Sequence, residues 1–565
     1  MTRRTTIDST LALAFGALAA FLLISLSPVD AWAATIRVNT TNMAFVNDNK
    51  CGLAEALQAV ANQASFDGCP AGHSPDTIVV PSGTYVATSS LVITSDVTIQ
   101  GAGEDNAEDN IFFPGTIIQA TPNNFLFFVS EVSSSFSVRF QDLTLDGALA
   151  TGVRGIDASG NDDGGLVQIL RCELKNFTVS AVSCAGFFLD VQDSSIHDDS
   201  TPFAGGGIVA FSTLNIHNSS LYNDNSASTG GALYYNGFGT SEVSNSTFSF
   251  NSATDGAGLY LHAQRQSDLV EINTSTIAFN NATGSGGGVN SDAFASYTAS
   301  STIISNNTDS AGNSDWNGTI ASLNGSLLTS TMGTTIGQGS NNLFTDPQLS
   351  NPGPSPEDLG GRYHTRVLPL ASTSPAIDFL SSVNIQTQDQ RSFPRGIRGR
   401  AGDTKLFDIG AFEFDPHLQT ETMEVVLQSR GQIHSVVSDS HFSNGQGTLL
   451  NASKPVNNNP DYVAYIVPIQ RDFTIPPAHI TVGVKKFDHG GIFTLYFAHK
   501  PANGTQLTWQ RVGSADLYSK TTTYTTVDLG TQALATDTTY FKFAATGKNS
   551  ASLGYQLFLD YVDLK

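Results

Sequence analysis

Through the middle of the chain, apolar residues recur in short alternating runs. Leu174, Ile196, Leu221, Phe248, Ile277 and Ile303 act as markers, separated by 22, 25, 27, 29 and 26 residues. Ser, Thr or an acidic residue precedes each marker. Each unit then passes through a glycine turn into a second apolar strand, as in Gly206-Gly207-Ile208, Gly230-Gly231-Ala232-Leu233, Gly256-Ala257-Gly258-Leu259 and Gly286-Gly287-Gly288-Val289. A unit this short cannot bury its apolar face alone, so successive units must stack into a solenoid. The pattern predicts an all-β chain built on a right-handed parallel β-helix.

Stacking places equivalent residues about 4.8 Å apart, so columns of like residues report the register. Three positions after each of the last five markers stand Asp199, Asp224, Asn251, Asn280 and Asn306. Three positions before the markers of the corresponding coils stand Asp193, Asn218 and Asn245, with Asn273 one residue out of step. Such columns are expected to pass side-chain amide hydrogen bonds from coil to coil.

An open solenoid would expose apolar coils and strand edges, so its ends need covering. Leu53, Leu57, Val60 and Ala61 recur at helical spacing and predict a short amphipathic helix over the first coil, bracketed by Cys51 and Cys69. Past Asp415-Pro416 the glycine-turn repeat ceases, and the remainder alternates like antiparallel strands. Tyr462 to Tyr465, Ile480 to Val484, Gly491 to Leu495, Phe541 to Phe543 and Tyr555 to Tyr561 predict a C-terminal antiparallel β-sandwich.

Of the 565 residues, 40% are hydrophobic and only 14% charged, with a net charge of -23. That charge would repel a phosphate backbone and excludes nucleic acid as a partner. Arg3 and Arg4 precede an apolar run from Leu11 to Leu26, and Ala31-Trp32-Ala33 offers a small-residue cleavage site, as in a signal peptide. A secreted, extracellular or cell-surface protein beginning at Ala34 is expected, a monomer with no transmembrane segment or covalent anchor after cleavage. The four cysteines suit an oxidising compartment: Cys51 with Cys69 and Cys172 with Cys184 are the sequence-near pairings among three connectivities.

Several stretches resemble known families. Gly230 to Leu233 and Phe248-Ser249-Phe250-Asn251 resemble repeats of polymorphic outer-membrane proteins, a β-helix family of surface adhesins. Cys51-Gly52-Leu53-Ala54-Glu55-Ala56, with Asp67-Gly68-Cys69, Asp76-Thr77-Ile78 and Gly83-Thr84-Tyr85, resembles the Cys-Ser-Leu-Arg-Glu-Ala domain that starts many bacterial surface β-helices, departing from it at Gly52 and Ala54.

Asp346-Pro347, Ser374-Pro375-Ala376-Ile377-Asp378, Asp389-Gln390-Arg391, Pro394-Arg395 and Asp408-Ile409-Gly410-Ala411-Phe412-Glu413 resemble the choice-of-anchor Q domain. In that family the segment closes β-helices and precedes a surface-sorting signal, which is not expected here. Asp461-Tyr462-Val463, Gly490-Gly491-Ile492-Phe493, Val527-Asp528-Leu529-Gly530, Thr546-Gly547-Lys548-Asn549 and Gly554-Tyr555 resemble galactose-binding-like jelly-roll modules. That resemblance implies carbohydrate binding, with Ca²⁺ as a structural ion common in the fold. The expected division is a signal peptide over 1–33, an N-terminal cap over 34–103, the β-helix over 104–345, a C-terminal cap over 346–416 and the sandwich over 417–565.

Sugar recognition needs an aromatic face for a pyranose and polar groups for its hydroxyls. Trp509, Asp516 and Tyr518 are the candidate carbohydrate-binding residues. Parallel β-helices also include polysaccharide lyases and hydrolases, but fold alone does not decide activity. Asn307-Thr308-Asp309 matches one galacturonan-hydrolase motif without its partner motifs. Arg139, Arg154, Arg171 and Lys175 are the cations of the early coils, and Asp162-Asp163 and Asp198-Asp199 are acidic pairs.

Register sets Asp199 one rung from Asp224, where two carboxylates could serve as an acid and nucleophile pair or hold Ca²⁺, although solvated turn residues are the preferred reading. Asp378, Asp389, Arg391 and Asp408 read better as ion pairs fastening an irregular cap. The leading expectation is a surface or matrix protein that binds a polysaccharide or cell-surface glycan through its C-terminal module, with no catalytic residue assigned. The alternatives are a polysaccharide lyase or glycoside hydrolase acting along the β-helix, and a spacer that binds no sugar.

Overall fold

The computed structural model describes residues 33–103, 115–121, 125–130, 136–160, 164–292, 294–349, 355–357, 365–381, 386–393, 395–396, 407–414, 418–419, 424–429, 433–442, 446–455, 459–468, 478–499, 507–532 and 538–564. The expected signal segment through Trp32, together with Asp162, Asp163, Pro394, Asp415 and Pro416, lies outside the described residues. No described helix is long and apolar enough to cross a membrane.

The coils of the solenoid visit three main columns of parallel strands, and a fourth of two-residue strands stacks Ser200–Thr201, Asn225–Ser226, Ser252–Ala253, Asn281–Ala282 and Thr308–Asp309. Phe187–Gln192, Leu214–His217, Thr240–Ser244, Leu269–Asn273 and Ser296–Ser300 stack in the first. Ser195–His197, Ser220–Tyr222, Thr247–Ser249, Thr276–Ala278 and Ile303–Ser305 stack in the second. Val182–Ala185, Ile208–Ala210, Leu233–Tyr235, Leu259–Leu261 and Val289–Ser291 form the third. The markers Ile196, Leu221, Phe248 and Ile277 point into one continuous apolar core.

A left-handed residue turns the chain between the first and second columns, with φ of 51° or 52° at Asp193, Asn218, Asn245, Thr274 and Ser301. Asp and Asn tolerate this conformation better than most residues. The side chains also form the expected ladder: Asn245 Nδ2 donates to Asn218 Oδ1 at 2.8 Å, and Asn218 Nδ2 to Asp193 Oδ1 at 3.0 Å. The glycine turns let neighbouring coils approach. Gly230 needs a φ of +68°, and a Cβ on Gly231 would stand 2.3 Å from the Ala257 carbonyl of the next coil.

The last coil corrects the register. Ile277 pairs with Ile304, not Ile303, so the fifth spacing is 27 residues. Asn307 therefore continues the inner column, whereas Asn306 occupies a left-handed corner with φ of 56°. Thr274 fills the other corner, and Asn273 pairs with Ser244 in the first column. The Ile303-Ile304 doublet hid the shift, because either residue satisfies the apolar marker.

The N-terminal helix spans Leu53–Asn62 and buries Leu53, Ala56, Leu57, Ala59 and Val60. Buried Glu55 organises its start: Oε2 accepts the Gly52 N–H at 2.9 Å and Oε1 the Val46 N–H at 3.0 Å. Cys51 and Cys69 are bonded as a disulfide. Cys172 and Cys184, by contrast, remain separate thiols on strands of different sheets, which corrects the second expected disulfide. Burial pushes the Cys184 thiol up to about 12.

The segment expected to cap the C-terminal end lies instead along the flank of the solenoid, over the outer face of the second column. Arg366 N donates to Ser220 Oγ at 3.3 Å, Thr247 Oγ1 to Gln390 Oε1 at 2.6 Å, Arg395 Nη2 to Asn245 Oδ1 at 2.8 Å and Gly410 N to the Ser301 carbonyl at 2.8 Å. Val367, Leu370, Ile377, Leu380, Ile409 and Phe412 pack with Ile303 and Leu327 of the β-helix in a separate apolar cluster. This cover explains why the second-column strands from Ser195–His197 through Ile303–Ser305 are buried at every position, although their side chains alternate in direction.

Beyond the solenoid, two antiparallel sheets form a β-sandwich. One orders His434–Ser438, Gln446–Leu450, Leu557–Leu564, Ala478–Lys486 and Thr523–Gln532, with Leu418–Gln419 pairing Leu557–Leu564. The other orders Glu424–Gln428, Tyr462–Pro468, Thr538–Gly547, Ile492–His499 and Gln510–Asp516. Between them lie Leu450, Val463, Tyr465, Val482, Phe493, Leu495, Phe541, Phe543 and Leu559.

Candidate functional site

Side chains alternate across the second sheet of the sandwich. Phe541 and Phe543 point into the core, so Lys542 between them points outward. Its neighbours in register are Ala464 on one side and Tyr496 on the other. Ala464, Ala498, Leu507 and Tyr540 make an apolar floor against which Trp509 packs, still partly exposed.

Three aromatic rings surround the Lys542 ammonium. Nζ lies 4.2 Å from the centroid of Trp509, 4.8 Å from Tyr496 and 5.4 Å from Tyr462. Ring faces attract a cation but do not neutralise it. Burial alone holds this lysine below its ordinary range, with no acidic neighbour among the described residues shifting it the other way.

A polar lane borders the rings. Thr494 Oγ1 lies 2.9 Å from both Ser514 Oγ and Thr546 Oγ1, and Arg511 Nη2 donates to Ser514 Oγ at 2.6 Å. Arg511 is exposed and pairs with Tyr496 in register, so it shares the outer face. An aromatic surface beside hydroxyls and two cations is chemically suited to a sugar.

Of the sequence candidates, Trp509 belongs to this surface. Asp516 and Tyr518 do not converge on it, because Asp516 ends the strand that Trp509 precedes, about 23 Å away at 3.3 Å per residue. Asp516 Oδ1 accepts the Tyr518 N–H at 2.9 Å and Oδ2 the Asn549 Nδ2 at 2.8 Å, so its oxygens shape a turn. Tyr496, Tyr462 and Lys542 were not foreseen. Alternation around the inward Phe541 and Phe543 would have pointed Lys542 outward, but its aromatic neighbours depend on strand pairing.

The acidic pair of the β-helix does not form a groove. Asp199 and Asp224 are 1% and 0% exposed and belong to an internal ladder. Phe177 N donates to Asp199 Oδ1 at 2.7 Å, Asp199 N to Asp224 Oδ1 at 3.0 Å and Asp224 N to Asn251 Oδ1 at 2.9 Å. Asn251 N and Asn280 N continue it, each 3.0 Å from the next amide oxygen. The second oxygens of Asp199 and Asp224 meet no donor, and burial pushes both carboxyls well above their ordinary range.

Their burial corrects the preferred reading of the pair as solvated turn residues and leaves no open groove for the catalytic or Ca²⁺ alternatives. Asn307 of the Asn-Thr-Asp motif is likewise consumed by the ladder. Among the described residues, no three His, Cys, Asp or Glu side chains gather closely enough to hold a metal ion.

A titratable cluster stands where the flank cover meets the early coils. His197 Nδ1 lies 2.7 Å from Asp198 Oδ2 and Nε2 3.1 Å from Glu173 Oε1, while its ring stacks on Tyr222 at 4.6 Å. Lys175 Nζ bonds Glu173 Oε2 at 2.8 Å. Burial would raise the Glu173 carboxyl, but His197 and Lys175 outweigh it and bring it to about 2. Burial would lower the His197 imidazole, but its hydrogen bonds to the Asp198 and Glu173 carboxylates raise it instead.

An imidazolium fixed between two carboxylates serves poorly as a base. Two more of the early cations are also engaged, Arg171 Nε with Asp142 Oδ1 at 2.5 Å and Arg154 with Asp157, whereas Arg139 is exposed. In the flank cover, Arg391 holds Asp389 at 2.6 Å and Arg395 holds Glu413 at 3.3 Å, while Asp408 Oδ1 accepts the Asp378 N–H at 2.7 Å. This is the fastening network expected for those residues.

No protein-family model and no curated protein matches the chain. Among solved structures it is similar to a Paenibacillus xanthan lyase, with 20% identity over 28% of this chain and 14% of that one, at a TM-score of 0.21. It is also similar to the A-module of an Azotobacter vinelandii mannuronan C-5 epimerase, at 15% identity over 54% and 94% of the two chains and a TM-score of 0.33. A pectate lyase matches at 13% identity over 68% and 98%, with a TM-score of 0.32. Likeness at this level carries no argument about activity.

Proposed function

We propose that this is a secreted or cell-surface β-helix protein that binds carbohydrate through its C-terminal sandwich, in an adhesive or matrix role. The observation that carries the reading is the partly exposed surface of Trp509, Tyr496 and Tyr462 beside the exposed Ser514 and Thr546 hydroxyls. Aromatic faces take the apolar side of a pyranose, and adjacent hydroxyls satisfy its polar rim.

The β-helix in this reading is a rigid stalk. Its acidic pair is spent on an internal ladder, Arg154, Arg171 and Lys175 are paired with carboxylates, and the outer face of its second column is covered. Those observations weigh against the competing reading of a lyase or glycoside hydrolase. The Cys51–Cys69 bond accords with an oxidising compartment. The finer assignments, to a Cys-Ser-Leu-Arg-Glu-Ala-like start, a choice-of-anchor Q-like segment and a galactose-binding-like module, belong to the same proposal.

The test incubates the chain with insoluble plant, fungal and bacterial polysaccharides and measures both retention and soluble products. Retention without new reducing ends or unsaturated products, lost in Trp509→Ala, is the expected result. Product release would make the protein an enzyme and overturn the reading.

A further inference from the structure

We infer that the ligand of the Trp509 surface is an acidic polysaccharide, whose uronate carboxylates dock on Lys542 and Arg511 while its sugar rings lie on the aromatic faces. The inference rests on the carbohydrate reading above and names its ligand class. It begins from an imbalance: the Lys542 ammonium is held by Trp509, Tyr496 and Tyr462, with no ion pair among the described residues.

A neutral glycan seated on those rings would strip further water from the half-buried ammonium and return no counter-charge, which is unfavourable. A carboxylate reaching the same point would form a charge-assisted hydrogen bond in a partly desolvated setting, where such bonds are strongest. The ligand thus supplies the partner that the fold does not.

Arg511 extends the pattern. The strand of Tyr496 separates Arg511 from the strand of Lys542, which sets the two cations about 10 Å apart, two inter-strand spacings. That is far enough for each to meet a carboxylate on a different sugar of one chain. Exposed Ser514 and Thr546, held by the buried Thr494, lie on the same face as hydrogen-bonding groups for ring hydroxyls. The local cations stand out in a protein of net charge -23, which would hold off a polyanion elsewhere on its surface.

The experiment is affinity electrophoresis of the full chain in gels containing polygalacturonate or alginate, each run beside the same polymer after its carboxyls are reduced to alcohols. Xylan serves as a neutral reference. Retardation by at least one of the acidic polymers at roughly tenfold lower concentration than by its reduced form is expected. Lys542→Met, which keeps a long apolar stem on the rings, should abolish that preference, and Lys542→Arg should keep it.

Equal or stronger retardation by the reduced polymers would overturn the inference, as would an unchanged preference in a folded Lys542→Met chain. Binding to neutral glycans alone would remove the acidic ligand yet leave the carbohydrate reading standing. Retention by none of these polymers would remove both.

Discussion

The backbone N–H of Asp199 donates to Asp224 Oδ1 at 3.0 Å, filling in one coil the place that Asn280 fills for Asn251 in another. The two aspartates thus occupy asparagine positions. Asn251 uses its Nδ2 to reach the Leu221 carbonyl at 3.1 Å. A carboxylate cannot donate, so the second oxygens of Asp199 and Asp224 are left without a partner, and burial pushes both carboxyls well above their ordinary range.

Replacing Asp224 with Asn should therefore stabilise the protein near neutral pH, with each new net hydrogen bond contributing about 1 kcal/mol. The sign follows from linkage. A carboxyl raised above its unfolded value of 3.8 contributes stability below that pH and loses it as pH rises toward the raised value. The advantage of Asp224→Asn should accordingly shrink toward pH 4 and grow toward pH 7, as read by chemical denaturation across that range.

The Glu173 and His197 pair should show a bounded pH window. Glu173, lowered from 4.5 to about 2, contributes above pH 4.5 and loses its contribution as pH falls toward 2. His197, raised from 6.5, contributes below pH 6.5 and loses its contribution as pH rises through the raised value. Glu173→Gln should cost about 2 kcal/mol inside that window and less outside it. A flat difference across pH 3 to 9 would contradict the assignment.

Cys172 and Cys184 should count as two thiols in the unfolded chain and as none reactive in the native one, since both are fully buried. Maleimide labelling before and after denaturation, read by mass, checks this. An unfolded, unreduced chain with no reactive thiol would restore the second disulfide.

Arg395 should be costly to lose. Its guanidinium is buried between Glu413, Asn245 and the Gly410 carbonyl, so Arg395→Ala strands a carboxylate and loosens the cover from the solenoid. A loss of about 3 kcal/mol is expected, with proteolysis beginning within the 365–414 segment. Unchanged stability and cleavage would mean that the cover is held elsewhere.

How much of this was legible in the sequence depended on whether the signal was local or spatial. The repeat, the helix over the first coil and the sandwich followed from apolar spacing, and the side-chain ladders from columns of Asn and Asp. The shift at Ile304 was hidden by an apolar doublet. The flank cover was not foreseen, although the small neutral Ser195, Ser220, Thr247 and Thr276 beside the markers are suited to an outer face meant to be covered. Trp509 stands out as the lone tryptophan of the sandwich sequence, but its partners Tyr462, Tyr496 and Lys542 are scattered over eighty positions and meet only through strand pairing.

Trp509 also provides the most direct measurement. Trp316 is fully buried in the solenoid, and Trp32 precedes the expected mature start, so a ligand that seats on the sandwich should perturb the emission of Trp509 alone. Titrating the chain with oligosaccharides of the retained polymer should give a saturable fluorescence change that is absent in Trp509→Phe, while Asp516→Ala keeps it. A chain whose emission stays constant through saturating sugar, or whose Trp509→Phe form responds unchanged, would contradict carbohydrate binding at this surface.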